Sequence, residues 1–251
     1  MKNISNNRAT DKLIFALDVQ SCKEALSWID LLSGHVGMFK VGKELFTAFG
    51  PKIVDSIKEK NQKIFLDLKF HDIPNTVARA AQAAVKLGVD MFNIHATGGS
   101  KMISETVSAV DVCAANLKIK KPVILAVTVL TSLDDHDLNE IGFKKNADEL
   151  VIDLARMAVC AGASGVVASP CDIYALRNNL GNDFVIVTPG IRAGEKKEKA
   201  DDQKRTLSAY EAIKAGADYI VVGRPISAAE KPLEACGQII QEIAEGLAAR
   251  I

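Results

Sequence analysis

Apolar residues recur along the chain in eight short runs, and longer amphipathic segments separate one run from the next. Most runs are rich in β-branched or aromatic residues and have the length of a strand, which is typical of buried β-structure. The runs cover residues 13–17, 38–41, 64–68, 91–94, 123–127, 165–168, 184–187 and 219–222. Each segment between two runs can hold at least one helix. This alternation predicts parallel strands joined by right-handed crossovers.

A weak internal repeat marks the places where helices end. Gly88, Gly162 and Gly216 each lie a few residues before an apolar run. Glycine accepts the left-handed conformation that closes a helix C-terminus, so a helix is predicted to end at each of them. Ser21 and Ser208 are each followed three residues later by a glutamate. This spacing matches a capping box and predicts a helix start at both serines.

Eight strand–helix units could build either a closed barrel or an open doubly wound sheet. The 251 residues match the roughly 250 residues that a TIM barrel uses. A doubly wound sheet usually has a G-x-G-x-x-G turn after its first strand, whereas the first run here continues as Asp18-Val19-Gln20 without a glycine. We therefore predict a single-domain (β/α)8 TIM barrel over residues 12–251, preceded by a flexible polar tail at residues 1–11.

The composition of the chain argues against several classes of function. Lys plus Arg and Asp plus Glu both number 31, for a net charge of zero, whereas a nucleic-acid-binding domain usually has a basic excess. No apolar run approaches the roughly 18 residues of a membrane span, and the polar N-terminus lacks the apolar stretch of a signal peptide. The five cysteines include no C-x-x-C pair, as expected of reduced thiols. We expect a cytoplasmic protein that binds neither nucleic acid nor membranes.

The third run carries the most informative polar residues. Catalytic groups of a barrel lie at the C-terminal ends of its strands. Side chains alternate along a strand, so Asp67 and Lys69 share one face and leave the other to Leu66 and Leu68. The leucines suit the helix side, which predicts that the charged pair points into the barrel mouth. A structural ion pair is the alternative, but its desolvation is costly, and charges in a concave mouth are typical of a catalytic site.

The other runs also end in polar residues. After the eighth run, backbone N–H groups at Gly223 and the guanidinium of Arg224 are suited to hold a phosphate, and phosphate sites after strands seven and eight recur in this fold. The almost wholly polar segment from residue 192 to 205 is either a solvated loop or a mobile lid, since long loops are often functional. Further candidates are Asp18, Lys40, Asn93, His95, Thr128, Thr131, Pro189 and Arg192.

Two histidines invite a metal interpretation. His71, Asp72 and His95 could lie together, but neither H-E-x-x-H nor facial-triad spacing is present. We therefore interpret both histidines as non-ligating and predict no metal site.

The segment at residues 65–76 reads FLDLKFHDIPNT. Its pattern, D-x-K-x-x-D-I-P-x-T, resembles the signature of the orotidine 5′-phosphate decarboxylase family. The resemblance extends over essentially the whole chain, because further family segments follow in order. They are Leu17-Asp18, Lys40-Val41-Gly42, Leu130-Thr131-Ser132, Thr188-Pro189-Gly190-Ile191-Arg192, Gln203 and Val222-Gly223-Arg224-Pro225.

The resemblance implies decarboxylation of orotidine 5′-phosphate to UMP in de novo pyrimidine biosynthesis, without a cofactor, by a homodimer with shared active sites. It makes Lys69 the proton donor to C6 of the pyrimidine, with Asp67 facing the substrate carboxylate. It also assigns Lys40 and Asp18 to the ribose and Thr131 to the pyrimidine, with Ile73 and Pro189 as further substrate-binding residues. Asp72 and Thr76 are assigned to the partner's site. The phosphate and the lid are assigned to Arg192, Gln203, Gly223 and Arg224. Of these, Lys69, Asp67, Asp72 and Lys40 form the implied catalytic set.

Two alternative functions are compatible with the same barrel fold. A Mg²⁺-dependent sugar-phosphate decarboxylase or aldolase shares D-x-K-x-x-D, but resemblance places an acidic metal ligand of such enzymes where Lys40 stands. A non-catalytic phosphate-binding barrel would have lost one of the charged residues, whereas Asp18, Lys40, Asp67, Lys69 and Asp72 are all present.

Overall fold

The computed structural model of this chain describes residues 9–192 and 207–250. Residues 1–8 of the predicted tail and residues 193–206 of the polar segment, including Gln203, lie outside the described residues. The described end of the predicted tail belongs to the barrel, because Ala9 is completely buried in the main core. Asp11 also packs closely against Gly37, because a Cβ atom on Gly37 would lie only 2.6 Å from the carbonyl oxygen of Asp11. The boundary predicted after residue 11 is therefore too late for residues 9–11.

Eight parallel strands of the described chain close into a barrel in sequence order, with β8 paired to β1. This confirms the predicted (β/α)8 fold. The strands are β1 (Leu13–Ala16), β2 (Met38–Gly42), β3 (Ile64–Phe70), β4 (Met91–His95), β5 (Val123–Val127), β6 (Gly165–Val167), β7 (Val185–Thr188) and β8 (Tyr219–Val222).

Helices follow the strands around the outside of the barrel. The described helices are α1 (Cys22–Leu32), α2 (Lys43–Phe49), α3 (Lys52–Glu59), α4 (Pro74–Leu87), α5 (Gly99–Leu117), α6 (Asp135–Glu140), α7 (Ala147–Cys160), α8 (Ile173–Leu180), α9 (Ala209–Ala215), α10 (Arg224–Ser227) and α11 (Pro232–Ala248). Two 3-10 turns, Ala96–Gly98 and Pro170–Asp172, follow β4 and β6. No helix within the described ranges has the length and apolarity needed to cross a membrane.

Local sequence signals set several helix ends. Ser208 accepts a hydrogen bond from the Glu211 N–H while the Glu211 carboxylate accepts from the Ser208 N–H, so the predicted capping box forms. Ser21 also caps its helix by accepting from the Glu24 N–H. Gly88 ends α4 in the left-handed conformation, at φ 73° and ψ 35°. A side chain would strain the backbone at Gly88, which explains why glycine closes this helix.

Strand alternation divides the core into two layers. Residues such as Leu13 and Phe15 of β1 pack outward into the large core beneath the helices, whereas Ile14 and Ala16 face the barrel interior. The interior layer consists of Ile14, Ala16, Met38, Phe65, Met91, Leu125, Val187 and Val221. An apolar interior at this depth leaves the C-terminal strand ends as the place where inward-facing side chains can be polar.

Candidate active site

The inward-facing register of the first four strands changes from apolar to polar towards the C-terminal mouth. Two residues beyond the interior side chains Ala16, Met38, Phe65 and Met91 stand Asp18, Lys40, Asp67 and Asn93 respectively. Together with Lys69, these polar residues are joined by direct contacts, and we refer to Asp18, Lys40, Asp67, Lys69 and Asn93 as the mouth cluster. The structure thus brings together the four charged residues that the strand ends predict.

Lys40 lies between two carboxylates. Its Nζ is 3.0 Å from Asp18 Oδ1 and 3.5 Å from Asp67 Oδ2, and its side chain is only 10% exposed. Burial by itself would lower the pKa of the Lys40 ammonium, but Asp67 and Asp18 outweigh burial and raise that pKa above its ordinary value. A Cβ atom on Gly42 would approach Lys40 Nζ to 3.1 Å, so glycine leaves room for the ammonium.

Asp67 is the hub of the mouth cluster. Its Oδ1 lies 2.6 Å from Lys69 Nζ and accepts a hydrogen bond of 2.7 Å from Asn93 Nδ2, while its Oδ2 faces Lys40. Burial would raise the pKa of the Asp67 carboxyl, but the charges of Lys40 and Lys69 and the bonds from Lys69 and Asn93 lower it below its ordinary value. Asp67 is therefore a buried carboxylate that stays ionised through neutral pH.

Lys69 reaches the mouth by a less regular path than simple alternation predicts. Its φ is +53°, although it lies inside β3. The pairing of β3 with β4 shifts between Leu66 and Phe70, and the Lys69 N–H donates to Asn93 Oδ1 at 2.8 Å. The prediction that Asp67 and Lys69 share the mouth is confirmed by their contact, but a distorted strand produces it.

The two histidines near the third and fourth strands stack against each other. The rings of His71 and His95 have centroids 5.3 Å apart and are tilted by 32°. Burial is the largest cause that lowers the pKa of His95 from 6.5 to about 4, followed by electrostatic interactions with His71, Lys43 and Lys69. His95 is therefore a neutral imidazole at physiological pH.

The residues implied to serve a partner's site face outward in the single chain. Asp72 and Thr76 are exposed, and Ile73 between them is 66% exposed, which is high for an isoleucine. Asp72 Oδ1 accepts a hydrogen bond from the Ile73 N–H. Among the contacts of the described residues, no hydrogen bond or ion pair joins Asp72 to Lys69.

The candidate phosphate residues follow neighbouring strands. Pro189 and Arg192 come after β7, and Gly223 and Arg224 come after β8, which pairs with β7. Ile191 forms a bridge with Leu207, and the Arg192 N–H donates to the Leu207 carbonyl, so the described residues on either side of residues 193–206 meet beside these strands. A Cβ atom on Gly223 would lie 3.7 Å from Asp18 Oδ2, so the end of β8 lies close to the mouth cluster.

Thr131, the residue assigned to the pyrimidine, lies in the turn after β5.

One group of three side chains in the described ranges has the spacing of a metal site. Asp134, His136 and Asp137 have ligand atoms within 4.8 Å of one another, at the start of α6. Asp134 and Asp137 bind each other's backbone N–H groups in a capping box, which accounts for their proximity. The group contains none of the residues of the mouth cluster.

A family model decides the affiliation of the chain. The model of the orotidine 5′-phosphate decarboxylase / HUMPS family matches residues 11–239. The chain belongs to this family. A protein of Syntrophus aciditrophicus named orotidine 5′-phosphate decarboxylase is 56% identical over 250 residues and covers 99% of both chains. A protein of the same name from Geotalea daltonii is 49% identical over 243 residues, covering 97% of this chain and 100% of its own.

A solved structure of the family agrees with the fold. The crystal structure of orotidine 5′-phosphate decarboxylase from Lactobacillus acidophilus superimposes with a TM-score of 0.81 at 38% identity. The match covers 92% of this chain and 98% of that chain. The resemblance carried by residues 65–76 is thus confirmed at the level of family and fold.

Asn93 is the mouth residue whose role the sequence leaves open. It is completely buried and binds both Asp67 and the Lys69 backbone. Its position along β4 is the feature of the sequence that could have indicated a role. Asn93 lies two residues after the interior residue Met91, on the strand next to β3, and therefore on the same inward face. That register predicts a polar group facing the mouth, but not its partners.

Proposed function

We propose that this protein decarboxylates orotidine 5′-phosphate to UMP and CO2 in de novo pyrimidine biosynthesis. Its relatives are named for this decarboxylation. The observation that carries the proposal is the Lys69 ammonium, which lies 2.6 Å from a buried carboxylate and remains 24% exposed towards the mouth. A fixed ammonium beside a fixed carboxylate suits a reaction in which negative charge appears on carbon.

The chemistry assigns a task to each charge. The bond from C6 to the carboxylate carbon breaks and CO2 departs. The electron pair of that bond stays on C6. The Lys69 ammonium stabilises this charge and then transfers a proton to C6, and the resulting amine takes a proton from solvent. Asp67 faces the substrate carboxylate, while Lys40 and Asp18 contact the ribose. Thr131 lies at the pyrimidine, with Ile73 and Pro189 completing the binding surface.

We further propose that the reaction needs no metal or organic cofactor. The alternative, a Mg²⁺-dependent sugar-phosphate decarboxylase or aldolase, requires a cation among the mouth carboxylates. In this chain the buried Lys40 ammonium lies between Asp18 and Asp67, and it would repel a cation at that point. The charge of Lys40 therefore favours the cofactor-independent reaction.

Phosphate binding is proposed to lie after β7 and β8. The substrate phosphate is remote from C6, so contacts with Arg192, Gln203, Gly223 and Arg224 can supply binding energy that organises the reacting end. The pairing of Ile191 with Leu207 brings the described residues on either side of residues 193–206 together next to β7. The proposed lid covers residues 191–205.

A homodimer with shared sites completes the proposal. The Asp72 carboxylate is exposed and turned to its own neighbouring N–H, and Ile73 exposes an apolar surface beside it. Both features are expected if the loop that carries Asp72 and Thr76 enters the site of a partner subunit across a two-fold axis. The five free cysteines favour a cytoplasmic location, and a net charge of zero favours a small-molecule partner over nucleic acid.

The test follows the absorbance of orotidine 5′-phosphate after addition of purified protein, with and without EDTA. We expect turnover that chelation leaves unchanged. A Lys69→Ala preparation purified in parallel controls for contaminating host enzyme, and it should be inactive. Loss of turnover in EDTA that Mg²⁺ restores would contradict the cofactor-independent mechanism. Absence of turnover by the wild type in both arms would contradict the assigned reaction.

A further inference from the structure

A single buried amide joins the side chain of Asp67 to the backbone of Lys69 in β3. Asn93 has no exposed surface. Its Nδ2 donates to Asp67 Oδ1 at 2.7 Å, and its Oδ1 accepts from the Lys69 N–H at 2.8 Å. An amide has a donor nitrogen and an acceptor oxygen on the same carbon, so it can satisfy both partners at once. Neither a carboxylate nor a hydrocarbon side chain can do so at neutral pH.

The backbone of Lys69 needs this support. Leu66 pairs with Phe92 and Phe70 pairs with Ile94, so three residues of β3 face the single residue Asn93 of β4. The bulge leaves the Lys69 N–H without a regular ladder partner, and the Asn93 side chain takes that place.

The φ of Lys69 is unusual for its position. Among the described non-glycine residues, Asn61 and Lys118 also have positive φ, and both lie just after helices, where this conformation is common. Lys69 has φ +53° inside a strand. Residues with a Cβ atom disfavour this conformation, so surrounding contacts must hold it.

We propose that Asn93 is a positioning residue of the decarboxylase, which holds the Lys69 ammonium and the Asp67 carboxylate in their reactive arrangement. The inference rests on the proposed function. Asn93 acts through the two residues that it binds: its carbonyl oxygen stabilises the left-handed backbone that aims Lys69, and its amide nitrogen fixes the Asp67 oxygen that the Lys69 ammonium contacts. Phosphate recognition after β7 and β8 does not depend on it.

The first test is Asn93→Leu, which keeps the number and branching of the side-chain heavy atoms and removes both hydrogen bonds. We expect kcat to fall by about 100-fold or more, the scale for loss of preorganisation at one polar group, whereas KM should change far less. Val110→Ala is the control, because Val110 is completely buried in α5 and its truncation should lower Tm without lowering kcat. If Asn93→Leu at matched Tm retains the kcat of Val110→Ala, the positioning role is wrong.

The second test is Asn93→Asp, which keeps the acceptor for Lys69 but loses the donor to Asp67. Two facing carboxylates raise the pKa of one of them, and the introduced group donates to Asp67 only when protonated. The ratio of variant to wild-type kcat should therefore rise as pH falls, by up to about tenfold per pH unit. A destabilised but otherwise competent site would give a ratio independent of pH, which would overturn the donor role.

A third measurement does not depend on turnover. Crystal structures of wild type and Asn93→Leu should show Lys69 leaving its left-handed conformation in the variant and its Nζ moving away from Asp67. Wild-type inactivity on orotidine 5′-phosphate would count against the proposed function alone, because this comparison would still report on Asn93. An unchanged Lys69 backbone and ammonium position in the variant would overturn the inference.

Discussion

Two ion-pair clusters at opposite ends of the barrel use similar charges differently. At the N-terminal end, Arg177 of α8 pairs with Asp218, which precedes β8, at 2.6 Å. The Arg177 guanidinium also donates to the carbonyl oxygens of Gly216, Gly181 and Phe184 and lies over the Phe184 ring. Arg177, Asp218 and these backbone partners are called the base cluster.

The mouth cluster is bonded mainly through side chains. Lys40 and Lys69 bind the carboxylates of Asp18 and Asp67, and part of Lys69 remains exposed. A guanidinium that is bound to fixed backbone carbonyls ties loops together and has little capacity for a ligand. An ammonium held by side chains can exchange contacts with a substrate. The partners of a buried charge, more than the charge itself, therefore separate a stabilising cluster from a functional one.

The largest expected effect is that of Lys69→Ala on turnover. In the proposed mechanism the substitution removes both the charge beside C6 and the proton donor, so kcat should fall by more than about 10⁴-fold. The fold should persist, because the side chain lies at the mouth rather than in the apolar interior. Steady-state kinetics and thermal unfolding measure the two effects. A variant that keeps most of its activity would remove Lys69 from the mechanism.

Mixing two inactive variants tests whether the mouth cluster depends on a second chain. Lys69→Ala and Asp72→Ala should each be nearly inactive. After joint unfolding and refolding, random pairing should restore wild-type composition to about a quarter of all sites, so activity should reappear. Each variant refolded alone is the control. A mixture that stays inactive despite demonstrated subunit exchange would mean that Asp72 serves its own chain, as the residues of the base cluster do.

Arg177→Ala should have the opposite outcome to Lys69→Ala. Without Arg177, Asp218 keeps weaker partners, the Ile186 N–H and the Arg250 guanidinium at 3.8 Å. The loss of unfolding free energy should therefore approach, without exceeding, the about 3–5 kcal/mol that breaking a fully buried pair costs. Denaturant unfolding should show this loss, while kcat of the folded protein should stay within about threefold. Arg177→Lys keeps a cation but not the planar fork, so an intermediate loss is expected. A large fall in kcat with unchanged stability would break the distinction between the two clusters.

Arg224→Ala tests the proposed phosphate end of the mouth. A charged hydrogen bond is worth roughly 1.5–3 kcal/mol, so binding of UMP should weaken by about ten- to hundredfold. Binding of uridine, which lacks the phosphate, should change little. Calorimetric titration with both ligands compares them directly. Equal losses for nucleotide and nucleoside would mean that Arg224 does not contact the phosphate.

The smallest effect concerns His95 and pH. Its pKa in the folded chain is about 4, against 6.5 for an ordinary histidine. Between these values the unfolded chain binds a proton that the folded chain does not, so this contribution to stability is present above pH 6.5 and is lost as pH falls towards 4. The drop in Tm from pH 7.5 to 5 should be smaller for His95→Gln than for wild type. The exposed His136→Gln is the control and should match wild type.

The apolar runs of the sequence match some strands more closely than others. The runs at residues 38–41 and 123–127 lie at or within one residue of β2 and β5, because strands buried on both faces are read directly as apolar runs. The run at residues 64–68 ends two residues before β3 does. Its last part, Lys69-Phe70, continues through a bulge, and a period of two does not predict the φ of Lys69.

The sequence by itself determined the barrel and the charged residues of its mouth, because burial periodicity and position at strand ends are local properties of the chain. Only the tertiary structure decided how those charges are held. Asn93 meets Lys69 and Asp67 across 24 and 26 residues of chain, and the low pKa of His95 depends on burial and on charges from several elements. Such contacts are set by the register between strands and by packing, which no window of neighbouring residues contains.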